Sequence, residues 1–170
     1  MSVHQFLRQA TRDAHDRVDG AFARYDLNSR AGYLAFLCAH GRALPAAEAV
    51  LTEDAGLPDW SPRTPLLRAD LRALDAELPA PLACSAPATR AGMLGLLYVV
   101  EGSRLGGAVL ARTVAPDLPA AYLSARHAPG GWRALLARLD ADEVGDGGWR
   151  EAALVGALAG FSLFAAAADA

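Results

Sequence analysis

The residues best suited to chemistry lie on the first predicted helix. At about 100° per residue, five polar side chains fall on one face of it: His4, Arg8, Thr11, Arg12 and His15. A neutral imidazole in this setting can bind a metal, and a guanidinium one or two turns away can bind a carboxylate through two parallel hydrogen bonds. The same pattern is also typical of an ordinary solvated helix whose histidine and arginines face water. The spacing alone leaves both interpretations open.

A second candidate site is a long apolar segment that is unusually rich in glycine. Gly95, Gly102 and Gly106 fall within about 40° of one another on a helical wheel. Each interior glycine costs a helix roughly 0.5–1 kcal/mol relative to alanine, and alanine is abundant in this chain. The glycines therefore either let two helix backbones pack closely or let one backbone lie against a flat ligand beside a bend. Periodicity does not separate these alternatives.

Helices must position both groups, because the pattern is helical nearly throughout. Ser2 and Gln5 form a capping-box signature at the start of the first helix, and Pro45 is expected to kink or restart the second. No segment alternates like a strand, and no repeat or linker divides the chain. We predict a single all-α domain over residues 1–170. The predicted helices cover about 3–20, 29–51, 65–78, 87–114, 132–139 and 149–168, with a loop at about 116–131.

The composition excludes several classes of protein. The chain has 170 residues, of which 53% are hydrophobic, so it is not disordered and can bury one ordinary core. Two cysteines, Cys38 and Cys84, do not make a disulfide framework. A net charge of −3 without a basic block argues against nucleic-acid binding. The start lacks an apolar signal core, and the uncharged stretch 152–168 is interpreted as a packed helix rather than a membrane span. We expect a cytoplasmic protein with no membrane or nucleic-acid partner.

Two segments, in the same order, resemble the haem oxygenases. Residues 7–15 are similar to the proximal-helix signature, in which an Ala-Thr pair, here Ala10 and Thr11, precedes the histidine that binds haem iron. Residues 97–107 are similar to the glycine-rich distal helix of the bacterial branch that includes biliverdin-forming enzymes associated with bacteriophytochromes. Looser similarity extends through 33–37, 70–71 and 161–164. The resemblance implies a multi-helical bundle with haem between the first helix and a kinked, glycine-rich helix.

The resemblance also implies a role for individual residues. His15 would be the axial ligand to iron. The distal wall and catalytic face would comprise Gly102, Ser103, Gly106 and Gly107. Haem contacts would come from Arg8, Thr11, Arg12, Tyr98 and Arg133, with Arg138 as a weaker match. Well-known members carry an aspartate directly after the first distal glycine, whereas this chain has Ser103, which brings no charge to the water chain that supplies protons.

The implied activity is that of a haem oxygenase, an iron-dependent oxidoreductase for which haem is both cofactor and substrate. Such an enzyme uses O2 and electrons from a ferredoxin or a reductase to form biliverdin, CO and ferrous iron, and a bacteriophytochrome could receive the biliverdin. The first alternative is a non-catalytic haem carrier or sensor of the same fold, which Ser103 favours. The second is a thiaminase-like relative, which would need a cysteine nucleophile in a polar pocket. Cys38 and Cys84 lie in apolar or loop contexts and do not support it.

Overall fold

The computed structural model describes residues 1–51, 56–141 and 148–170. Within these ranges the chain forms α-helices and no strand, which confirms the all-α prediction. The helices are α1 (Val3–Ala10), α2 (Arg12–Phe22), α3 (Arg30–Leu51), α4 (Thr64–Ala73), α5 (Arg90–Leu110), α6 (Ala121–Ser124), α7 (Gly131–Ala141) and α8 (Trp149–Asp169). A short 3₁₀ turn at Ala111–Thr113 continues α5.

The single helix predicted at 3–20 is two helices that meet at Thr11. Its backbone leaves the helical region, with φ −99° and ψ 3°, and its hydroxyl donates to the carbonyl of Leu7 at 2.8 Å. A threonine hydroxyl competes in this way with the regular backbone ladder, which explains the break. The capping box of Ser2 and Gln5 is present, as predicted. The break means that side chains before and after Thr11 do not share one continuous helical wheel.

Two other helix boundaries differ from the prediction. Pro45 does not restart α3, which continues from Arg30 to Leu51 with the proline inside it. The next helix, α4, ends at Ala73 rather than near residue 78, because Asp75 adopts the left-handed region with φ 60°. Aspartate tolerates this conformation better than most side chains and therefore terminates the helix. The glycines of the long apolar segment do not interrupt α5.

The centre of the fold is the contact between α5 and α8, and α8 also packs against α1, α2 and α3. Glycines permit the close approach: a Cβ atom added at Gly95 would collide with the backbone of Ala153, and one added at Gly156 would collide with the backbone of Gly92. Close backbone packing is therefore the correct interpretation for Gly95. The predicted packed C-terminal helix is confirmed as well.

Among the described residues, three helices are long and apolar enough to cross a membrane by length and composition: α3, α5 with its 3₁₀ extension, and α8. In each of them half or more of the most apolar stretch is buried inside the fold. Their apolar length is therefore used, at least in large part, to build the shared core.

Candidate functional site

The glycine face of α5 is covered at one end and open at the other. At Gly95 it meets α8, as described above. At Gly102 an added Cβ would lie 3.4 Å from the ring of Trp132, and at Gly106 it would meet no atom within 4 Å. Two neighbouring apolar side chains, Leu105 and Val109, are 51% and 63% exposed. A helix surface that combines glycines with exposed apolar side chains is one that a flat apolar ligand can cover.

His15 is an exposed histidine whose ring is already oriented. Its Nδ1 lies 3.3 Å from a carboxylate oxygen of Asp19 and 3.9 Å from one of Asp16, and its ring packs edge-on at 5.8 Å from the ring of Phe161 on α8. An Nδ1–H that donates to Asp19 leaves the lone pair of Nε2 available to a metal, the usual arrangement of metal-binding histidines. In the sequence Asp13, Asp16 and Asp19 look like a solvated side, mostly off the face of His15. Asp19 is indeed exposed, but it shares that face, because residues i and i+4 on a helix are neighbours.

Arg8 on α1 lies close enough to Tyr98 on α5 for its charge to act on the Tyr98 hydroxyl. Tyr98 is half-buried and its ring stacks on that of Trp132, with centroids 5.6 Å apart. Burial raises the pKa of the Tyr98 hydroxyl, and the positive charge of Arg8 opposes that increase. Arg12 is exposed on α2, and Arg133 is exposed on α7 directly after Trp132. Of the predicted arginines, Arg133 lies on α7, which packs against α5, whereas Arg8 and Arg12 lie on α1 and α2.

Thr11, Gly107 and Ser103 contact protein rather than open space. The Thr11 side chain is buried at the joint between α1 and α2. Gly107 is buried under α6, where an added Cβ would lie 3.2 Å from the carbonyl oxygen of Leu123. The Ser103 hydroxyl donates to the Val100 carbonyl at 2.7 Å and accepts from Arg63 at 2.6 Å. The sequence suggested that Ser103 would orient a water, but in the structure two protein partners already hold its hydroxyl.

Two residues near these side chains, Arg63 and Trp132, are absent from the residues predicted from the sequence. Arg63 precedes α4 and is buried, and its guanidinium lies 5.2 Å above the ring of Tyr122 on α6. No local pattern marks it, because its partner Ser103 is 40 positions away. An aromatic residue at the first turn of a helix, next to an arginine, is the signal that could have drawn attention to Trp132.

Tyr122 also contacts a partly buried histidine, His40. Nδ1 of His40 is 2.6 Å from the hydroxyl of Tyr122. Three phenylalanine rings and the ring of Tyr122 pack around the imidazole; the phenylalanines are Phe22, Phe36 and Phe164. Burial, together with the charge of Arg63, lowers the pKa of His40 to about 3. His40 is therefore neutral near pH 7, and its Nδ1 shares a hydrogen bond with the Tyr122 hydroxyl.

The donor set around His15 fits a metal that brings most of its own ligands. Among the described residues, no three histidine, cysteine, aspartate or glutamate side chains are grouped so that they could hold a metal ion. A single exposed imidazole fits an iron atom in a planar macrocycle, which supplies the other ligands itself. The room at Gly106, where a Cβ would meet nothing, is consistent with such a ring close to the helix backbone. The exposed arginines suit the carboxylates that a haem carries.

Comparisons with known proteins give the following similarities. No family model matches the chain. The chain is 39% identical over 112 residues to a curated heme oxygenase of Xanthomonas campestris pv. campestris (strain 8004); the match covers 60% of this chain and 64% of that protein, which is less than two-thirds of its length. In fold it is similar to the heme oxygenase of Neisseria meningitidis solved in its NO- and CO-bound forms. That likeness has a TM-score of 0.80 and 24% identity, and it covers 99% of this chain and 90% of the other.

Proposed function

We propose that this chain is a haem oxygenase, which binds haem and cleaves it to biliverdin, CO and ferrous iron; its similarity to a curated heme oxygenase and its fold support the proposal. The reaction would consume O2 and externally supplied electrons. The observation that carries the proposal is the combination of an oriented, exposed histidine, His15, with the open glycine face of α5 at Gly106.

His15 would bind the iron through Nε2, with Asp19 accepting the hydrogen of Nδ1. A carboxylate partner fixes the tautomer, orients the ring and makes the imidazole a better donor. A thiolate ligand donates electron density strongly and thereby favours cleavage of an O–O bond. A neutral histidine donates less strongly. When bound, haem would supply the redox chemistry and would itself be the substrate. The protein's part is to seat the ring and to control access to its two faces.

Gly102 and Gly106 would form the opposite wall. Their missing side chains would allow the macrocycle to approach the α5 backbone, and Trp132 would limit how far the ring extends past Gly102. Gly107 and Ser103 would act indirectly, because one packs α5 against α6 and the other ties it to Arg63. A helix held at both points is a rigid wall, and rigid walls bind with less loss of conformational entropy.

The cationic side chains would bind the two carboxylates of haem. Arg8, Arg12 and Arg133 are exposed on α1, α2 and α7, so they can reach a ligand without first leaving a buried site. A guanidinium binds a carboxylate through two parallel hydrogen bonds. Tyr98 would pack against the ring near Arg8, and Thr11 would keep Arg8 and His15 in a fixed relation by holding the joint between their helices.

A non-catalytic haem carrier or sensor is the second candidate. Two observations favour it. Residue 103 is a serine, so no carboxylate is present there to hold a proton-donating water, and its hydroxyl is already bound by Arg63. Both candidates require the same haem seat, so they differ in turnover rather than in binding.

Finer assignments follow from the similarity of residues 97–107 to the bacterial, bacteriophytochrome-associated enzymes. On that basis the chain would act in the cytoplasm, accept electrons from a ferredoxin or a reductase, and pass biliverdin to a bacteriophytochrome. Copurification of the two proteins, or biliverdin transfer followed by absorption, tests the last step.

A titration followed by turnover tests the main proposal. The protein is titrated with hemin and then given ascorbate, or a ferredoxin with its reductase, in air. Loss of the Soret band with growth of biliverdin absorbance and release of CO supports the oxygenase. A Soret band that persists under reducing conditions supports the carrier or sensor instead. Absence of any Soret shift on titration rejects both candidates.

A further inference from the structure

Arg63 is a buried cation without a carboxylate bound to its guanidinium. The residue is 2% exposed. Its Nη2 donates to the hydroxyl of Ser103 at 2.6 Å and to the carbonyl of Val100 at 2.7 Å, while its Nε has no hydrogen-bond partner. Within the part of the chain that the structure describes, the guanidinium group contacts these two neutral acceptors and the ring of Tyr122. A buried charge with so few partners is costly, so its retention needs an explanation.

Glu48 lies beside Arg63, but its carboxylate binds backbone and hydroxyl groups instead of the guanidinium. Glu48 accepts from the backbone N–H of Arg63 at 2.6 Å, and from the N–H and hydroxyl of Thr64 at 3.1 and 2.6 Å. This carboxylate therefore caps the start of α4, where the unpaired N–H groups of a helix attract negative charge. Its charge offsets that of Arg63 in part, but no short contact to the guanidinium neutralises it.

Glu101, a second buried carboxylate, pairs with another arginine. Glu101 on α5 accepts two hydrogen bonds from Nε of Arg104, at 2.9 and 3.0 Å. His127 lies 3.6 Å from the same carboxylate. Glu101 therefore belongs to a different ion pair, and the positive charge of Arg63 remains available to the adjacent stretch of α5.

That charge lies directly behind the proposed haem wall. Its two acceptors, Val100 and Ser103, flank Gly102, which belongs to the open face. Between buried groups a charge acts strongly over several ångströms, because little water is present to screen it. An anion on the open face would therefore gain energy that a neutral ligand of the same size would not.

We propose that Arg63 is a positioning residue of the proposed haem site, which gives the face at Gly102 and Gly106 a fixed positive potential. On the side of the iron opposite His15, small anions would bind in preference to neutral ligands. The charge behind this wall is opposite in sign to the one that an aspartate at position 103 would bring. This inference rests on the proposed function, since it needs haem in the site.

The test compares an anionic with a neutral ligand on the ferric haem complex. Azide and imidazole are titrated at constant ionic strength and followed by absorption. In the Arg63→Met variant we expect azide affinity to fall about tenfold, as for a charge acting at several ångströms. Imidazole affinity should change by less than about twofold. Arg63→Lys keeps the charge and should retain azide affinity within about threefold of the wild type.

Arg72→Met is the matched control. It removes the same charge from an exposed position at the other end of α4, and it should alter neither affinity. Ser103→Asp provides an independent test because it leaves Arg63 in place. The new carboxylate would pair with the guanidinium and neutralise it, so azide affinity should fall as in Arg63→Met, and the thermal unfolding midpoint shows whether each variant is folded.

Each outcome decides the inference. A selective loss of azide affinity in Ser103→Asp, and in Arg63→Met if that variant folds, supports it. An unchanged azide-to-imidazole ratio in Ser103→Asp overturns it, as does a loss of azide affinity in Arg63→Lys equal to that in Arg63→Met. Failure of the wild type to shift the Soret band of hemin would overturn the proposed function as well. Haem binding with unchanged selectivity would overturn only the role of Arg63.

Discussion

The two halves of α5 carry glycines on the same face and use them differently. In the N-terminal half, Gly95 lies against the backbone of α8 and leaves no room for a methyl group. In the C-terminal half, Gly102 meets only the edge of Trp132, and Gly106 meets nothing. The conformational cost of glycine is the same in both halves. What differs is the neighbour, and the comparison shows that a glycine stripe stays open to a ligand only where no helix covers it.

Removal of the proposed iron ligand should have the largest effect on function. A His15→Ala variant would lose normal axial ligation of haem, and turnover should fall on the order of 100-fold. Added imidazole should restore the ferric spectrum and part of the activity. Absorption spectra with and without imidazole check this. A variant spectrum identical to that of the wild type would show that the open half of α5 does not face an iron bound by His15.

The stability of the protein should be most sensitive to a methyl group added in the N-terminal half of α5, where Gly95 packs against α8. Gly95→Ala would force α5 and α8 apart and lower the free energy of unfolding by about 3 kcal/mol, as expected for an overpacked core. Urea unfolding measures the change. Wild-type stability in this variant would mean that the two helices do not pack as closely as described.

Acid should destabilise the protein through His40, by less than the Gly95→Ala substitution does. The pKa of His40 is about 3 in the folded chain, below the ordinary value of 6.5 that applies when it is unfolded. The unfolded state therefore takes up a proton first, so stability is complete above about pH 6.5 and declines as the pH falls towards 3. This one group would account for up to about 2 kcal/mol lost between pH 7.5 and 5.

A His40→Gln variant isolates that contribution. Glutamine can still accept from Tyr122 but does not titrate, so the variant's stability should depend less steeply on pH. Urea unfolding of both proteins at several pH values gives the two slopes. Equal slopes would show that His40 is protonated as readily in the folded chain as in the unfolded one.

A methyl group added in the C-terminal half of α5, at Gly106, should stabilise the protein, in contrast to one added at Gly95. Gly106→Ala should raise the free energy of unfolding by roughly 0.5–1 kcal/mol, because alanine favours the helix and nothing opposes its Cβ. A larger side chain, in Gly106→Leu, should leave the fold intact and weaken hemin binding about tenfold. Hemin titration and thermal unfolding separate the two effects. If Gly106→Leu binds hemin as the wild type does, the face at Gly106 is not the haem wall.

Much of the architecture was predictable because it depends on local physics. The capping box at Ser2 and Gln5 and the period of the apolar residues involve side chains within a turn or two of each other. Two local features differ from the expectation. The first helix breaks at Thr11, and α3 does not restart at Pro45 but continues through it.

An all-α chain, with a histidine after two arginines and a glycine-rich helix later on, could be predicted from residue types and their spacing. Helix packing was needed to show that Gly95 lies against α8 while Gly106 is open, and that Arg63 contacts Ser103, which is 40 residues away. Such outcomes depend on which helices pack together, because burial and the strength of a charge are set by neighbours that are distant along the chain.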